Sequence, residues 1–221
     1  LGLHVDENLN WKKHIKFVTE KVTKLTFALI KTRKRTCKLL KKLIYTSLIK
    51  PHIEYGITAW GGSSQLTPLE KAQKRAIRIA CEKNKISHTE PQLKALGETN
   101  LKDTYYVNSL TLVKKIKDEQ GPTILQEIFE WHDQGSRRSH LMKVGHFTTL
   151  TEKTPSIQIP KIWNNYYHDG LGMELMLTPK AYRKFISSEL ISKYYETCSI
   201  QGCYSCKKNE EVTKKKKTEE E

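Results

Sequence analysis

Residues 11–29 read WKKHIKFVTEKVTKLTFAL. Trp11, Ile15, Val18, Val22, Leu25 and Leu29 recur in steps of four and three, the repeat of one narrow face of an α-helix. Opposite that seam, at about 100° per residue, fall Lys12, Lys13, Lys16, Lys24, Lys31 and Lys34. The stretch predicts a long amphipathic helix with one apolar and one basic side. Two more segments repeat the theme. After a turn at Arg35-Thr36-Cys37, a second helix is expected to bury Leu39, Leu40, Leu43, Ile44 and Leu48. It would present Lys38, Lys41, Lys42 and Tyr45 outward and end at Pro51. A third starts at Thr67-Pro68-Leu69-Glu70, where Thr67 suits a cap and Pro68 the first helical position. It buries Leu69, Ala72, Ala76, Ile79 and Ala80 and turns Lys71, Lys74, Arg75 and Arg78 the other way.

Residues 11–85 hold nineteen Lys and Arg against four acids, Glu20, Glu54, Glu70 and Glu82. That surplus equals the formal charge of the whole chain, +15, so everything outside the block sums to zero. A solvated helix face normally mixes signs for pairing four residues apart. One-sided faces instead fit an anionic partner, and three of them in succession fit a phosphate backbone. Lys dominates Arg, which suits phosphate contact more than base reading. Trp11, Tyr45, Tyr55 and Trp60 are available to stack on bases, although Trp11 opens the apolar seam and fits a core position better.

Hydrophobic residues at 37% are lean and charged residues at 29% a little rich. No run approaches the roughly 20 apolar residues of a membrane span, and the apolar faces are narrow for a membrane surface, so no membrane partner is expected. The chain opens Leu1-Gly2-Leu3 without an initiator Met or a signal-peptide pattern, which suggests a piece of a longer protein. Five scattered Cys do not form a secreted disulfide framework. A reducing compartment, nucleus or cytoplasm, is expected.

Leu1–Asp6 alternates apolar and polar residues and suits the end of a strand. The segment 1–85 thus combines that strand with the three basic helices. Residues 86–131 read as a helical connector. Within it Asn100 caps a helix from Leu101 to about Lys117 that packs through Leu101, Tyr105, Leu112 and Ile116, and a short helix follows Gly121-Pro122. Residues 132–195 form a loop-rich region: a long loop over 132–160 with one short strand pair, and a last helix begun by Thr178-Pro179. Residues 196–221 are a charged, Cys-containing tail expected to be disordered.

Catalytic signals are sparse. The five Asp (Asp6, Asp103, Asp118, Asp133, Asp169) are isolated, whereas nucleotidyl transfer by two metals needs carboxylates close together. Nucleophile-elbow, phosphate-loop and zinc-protease motifs do not occur. The reading is a non-enzyme as the chain stands, with no cofactor. Cys198, Cys203 and Cys206 are the one zinc candidate, but zinc takes four ligands and the closest upstream His is His168.

Several of these residues fall together in a known order. Leu1-Gly2, Asn10-Trp11, His14-Ile15, Ile44-Tyr45, Pro51-His52, Tyr55-Gly56 and Trp60 are followed by residues 73–79 (QKRAIRI) and by Pro160-Lys161-Ile162-Trp163-Asn164. Over about residues 1–195 the chain resembles the region downstream of the catalytic palm in reverse transcriptases of jockey-like non-LTR (LINE-type) retrotransposons. The resemblance implies that Leu1-Gly2 belongs to a primer-grip segment and that Trp11–Arg78 forms a thumb holding the template–primer duplex. The Ala-Asp-Asp motif of that family is absent, so its RNA-directed DNA polymerase activity would require a palm supplied from elsewhere. The family's Cys/His knuckle is not reproduced by Cys198, Cys203 and Cys206.

The expectation is a mainly α chain: a basic, thumb-like helical bundle with a short N-terminal strand, then a smaller α-rich part with irregular loops. Its expected role is a non-catalytic nucleic-acid-binding fragment of a transposable element. It would grip an RNA–DNA hybrid, or an RNA or DNA duplex, through phosphates. The binding set is Lys12, Lys13, Lys16, Lys24, Lys31, Lys34, Lys38, Lys41, Lys42, Tyr45, Lys71, Lys74, Arg75 and Arg78. Two alternatives stand beside it, a helical protein–protein interaction module and part of an active polymerase completed by the missing palm.

Overall fold

The structure, a computed structural model, describes residues 2–32, 35–132, 139–148, 151–168 and 176–195. It is mainly helical: α1 (Lys12–Thr32), α2 (Lys38–Ile44), a π-helical turn (Tyr45–Ile49), α3 (Lys50–Glu54), α4 (Ile57–Trp60), α5 (Thr67–Ala80), α6 (Glu90–Leu96), α7 (Leu101–Lys117), α8 (Thr123–Ile128), α9 (Pro155–His168) and α10 (Pro179–Ser192). No strand occurs among the described residues, and none of their helices is long and apolar enough to cross a membrane. Two compact units interleave along the chain rather than following one another. One comprises Leu1–His14, Glu54–Leu66 and Leu101–Glu189, the other Ile15–Ile53, Thr67–Asn100 and Leu190–Glu221.

In the first unit α7 packs against α4 and α9. Leu101, Val107, Leu110, Val113 and Ile116 of α7 are buried, whereas the expected Tyr105 and Leu112 are half-buried. Gly61 lets α4 approach α7 closely: a Cβ there would run into the Tyr105 ring and lie 2.6 Å from the Ile57 carbonyl oxygen. Trp60 is fully buried and donates its indole N–H to the Tyr55 carbonyl (3.0 Å). The N-terminal strand is not formed. The Asp6 carboxylate instead accepts the Asn10 amide (2.7 Å) and its carbonyl accepts the Leu9 amide, curling the chain into a turn, while Val5 stays exposed.

Within 132–160, the described residues (132, 139–148 and 151–160) differ most from expectation. The predicted strand pair is a single bridge between Trp131 and Met142, and a helix begins at Pro155. Proline at the first helical position gives up an N–H that has no helical partner anyway. Five residues on, Pro160 sits inside the helix. From α9, Trp163 is completely buried and donates to the His140 carbonyl (3.0 Å). Asn164 both accepts the Met142 N–H and donates to its carbonyl, each at 2.8 Å, as a neighbouring strand would. Arg183 of α10 donates to Asn108 Oδ1 (2.8 Å) and to the Glu54 carboxylate (2.9 Å).

The second unit buries the predicted α1 seam at Ile15, Val18, Val22 and Leu29. Its α2 is turned relative to expectation. Lys41, Tyr45, Ile49 and Ile53 form the buried column, and Leu39, Leu40, Leu43 and Leu48 are exposed. Nor does Pro51 end the helix: α2, the π turn and α3 run on without a break. A step of four residues walks about 40° around an ideal α-helix. The π turn, with Lys50 N–H bonded to the Tyr45 carbonyl, opposes that drift and keeps the column straight. The wider turn also gives room to the ring of Pro51, which in an α-helix crowds the carbonyl four residues back. Against this column α5 packs Leu69, Gln73, Ala76, Ile77 and Ala80.

Candidate nucleic-acid interface

Helix periodicity puts Lys13, Lys24 and Lys31 within about 20° of one another along roughly 27 Å of α1. Lys12, Lys13, Lys16, Lys24 and Lys31 are all exposed, and Lys34 lies outside the described residues. No acidic residue occupies the first turn of α1, which opens with Lys12 and Lys13 at the positive end of the helix dipole. Cations there are disfavoured by a few tenths of a kcal/mol to about 1 kcal/mol each. On α5, Lys71, Lys74 and Arg75 are exposed at spacings of three and four, on the side opposite the buried Leu69, Gln73 and Ala76.

Gln73 explains part of that helix's sequence. It is buried, and its amide donates to Tyr45 Oη and to the Thr99 carbonyl, both at 3.4 Å. The glutamine therefore fastens α5 to the π turn, and the two basic residues after it point outward. Among the described residues, none of Lys12, Lys13, Lys16, Lys24, Lys71, Lys74 and Arg75 forms an ion pair. Lys31 lies over the exposed ring of Phe27, 4.9 Å from its centre.

The remaining predicted site residues divide. Lys38 is exposed and Lys42 half-buried. Lys41 is turned inside and paired with Glu82, and Tyr45 is buried in the column, so neither belongs to a surface. Both lie on the face that the leucine pattern had marked as outward. Arg78 is half-buried and donates its Nε–H to the Ser87 carbonyl (2.6 Å), and burial pulls its guanidinium below the usual value. It braces the loop after α5. Of the four aromatic candidates, Trp11, Tyr45 and Trp60 are buried, while Tyr55 is half-exposed. Sequence reasoning passed over Phe27, which sits on the basic side of α1 four residues before Lys31, a spacing that was visible. It also passed over Lys83, which acts with Lys38 and Lys42 on the buried Cys81 thiol.

Among the described residues no group of His, Cys, Asp or Glu is placed to hold a metal ion, and Cys198, Cys203 and Cys206 lie outside them. No protein-family model matches the chain, nor does any curated protein or solved structure.

Proposed function

We propose that the chain binds double-helical nucleic acid through the phosphate backbone, as the thumb-like part of a non-LTR retrotransposon reverse transcriptase. The observation that carries this reading is the set of exposed cations on α1 and α5 that form no ion pair within the described residues. An array of like charges repels itself, and a polyanion that releases its counterions relieves that cost. Lys12, Lys13, Lys16, Lys24, Lys31, Lys71, Lys74 and Arg75 carry the contacts, Lys38 and Lys42 extend them, and polymerisation would need a palm from another chain or segment. The test is anisotropy titration of a labelled RNA–DNA hairpin against the chain and a Lys16→Glu/Lys24→Glu/Lys71→Glu/Lys74→Glu variant. Binding weakened at least about a hundredfold in a variant of unchanged helicity supports the reading, and unchanged binding removes it.

The exposed leucines favour a second reading. Leu39, Leu43 and Leu48 are 76%, 58% and 50% exposed on one helical run, an apolar surface that suits a protein partner. A charge-neutral Leu39→Gln/Leu43→Gln variant that loses a co-purifying protein while keeping its hairpin affinity would support this reading. Loss of hairpin affinity alone would oppose it.

A further inference from the structure

The second unit contains a pocket of about 530 Å3, open to solvent on one side, between α2, the end of α5 and α6. Its walls are aliphatic: Leu39, Ala80, Pro91, Ala95 and Leu96, with Cys81 beside them. Lys38, Lys42 and Lys83 also line it, and no carboxylate does. The charges of all three lysines bear on the Cys81 thiol, which burial nonetheless pushes up. Gln92 lines the same space, nine-tenths buried, with an Oε1 that has no hydrogen-bond partner.

The lining narrows the choice of ligand. Cavities of this volume commonly hold small organic molecules. A nucleobase gains most by stacking on an aromatic face, and none lines this cavity. A bare anion such as phosphate would leave the aliphatic walls unfilled, and a neutral hydrocarbon would make no use of the three ammonium groups at the mouth. An apolar chain ending in an anion satisfies both halves. We infer that the cavity binds an aliphatic carboxylate, its chain among Leu39, Ala95 and Leu96 and its head between Lys38, Lys42 and Lys83. The inference does not depend on nucleic-acid binding, although Lys38 and Lys42 belong to both readings.

The test uses the full chain, with dodecanoate displacing a fluorescent dansyl-undecanoate probe. Saturable displacement at one site is expected, tightening about fourfold for each methylene added from octanoate upward until the cavity is full. Ala95→Trp, which fills the space from an exposed helical position, weakens binding at least about tenfold. Its hairpin affinity stays unchanged, since Ala95 lies on neither basic row. Lys42→Glu/Lys83→Glu weakens dodecanoate but not dodecanol. In the unaltered chain, dodecanoate slows iodoacetamide alkylation of Cys81 and leaves that of the exposed Cys37 unchanged. Non-saturable displacement, equal binding by a folded Ala95→Trp variant, or no protection of Cys81 would each overturn the inference.

Discussion

The Lys41 ammonium, on a side chain 1% exposed, is ion-paired with Glu82, whose side chain is 46% exposed. The two partners are therefore unequal. Removing Glu82 leaves a buried cation without a counter-charge, whereas removing Lys41 leaves a carboxylate that water already reaches. Glu82→Ala should cost roughly 3 kcal/mol, and Lys41→Met, which keeps the aliphatic stem, under about 1 kcal/mol. Urea unfolding of the two variants checks the order. Equal losses would mean that the pair behaves as an ordinary surface contact.

His14 gives stability an acid-side dependence. It is buried, its Nδ1 accepts the His4 amide (3.4 Å), and its ring meets Trp60 edge-on at 5.5 Å. Burial first, and then the charge of His4, hold its pKa below the usual 6.5. Protonation is thus easier in the unfolded chain, so the stabilisation is complete above about pH 6.5 and is lost as pH falls from there through the folded value. Thermal melts from pH 7.5 to 5 should show a decline that is shallower in a His14→Gln variant. Parallel curves would assign the decline to other groups.

Gly61 is required for space rather than for backbone freedom. Its backbone is right-handed helical, φ −67°, but an added Cβ meets the Tyr105 ring and the Ile57 carbonyl oxygen. Gly61→Ala should destabilise the chain by about 1 to 3 kcal/mol through overpacking. Gly97 is the contrast: nothing lies near an added Cβ, yet its φ is +69°. Gly97→Ala therefore destabilises only through backbone strain, by about 1 kcal/mol. Denaturation midpoints should separate Gly97→Ala from the larger effect at Gly61.

Where the sequence was legible, one physical rule acted alone. Of the predicted seam, Ile15, Val18, Val22 and Leu29 of α1 and the preceding Trp11 are buried while Leu25 is half-buried, and Thr67-Pro68 marks the start of α5. The second helix failed because two rules competed. Its leucines fit an α-helical face, but Tyr45, Ile49 and Ile53 at steps of four fit a π-adjusted column, and tertiary packing took the column with Lys41 in it. A lysine in a buried stripe is invisible to hydrophobic periodicity unless its partner, forty-one residues on, is known. α9 was hidden because Pro155 and Pro160 read as loop punctuation, although the first begins the helix. Of the site, the outward lysines of α1 and α5 were readable from angular position. The cavity was not, because it assembles side chains from three helices that no local pattern connects.

The most direct measurement is the salt dependence of hairpin affinity. With five to seven phosphates neutralised, log K should fall against log salt with a slope of about −5 for duplex nucleic acid. Replacing Lys24 and Lys74 should reduce the slope by about two. That result would identify the exposed rows of α1 and α5 as the gripping surface. Affinity that stays flat between low and physiological salt, or a slope indifferent to those replacements, would contradict the phosphate-binding account.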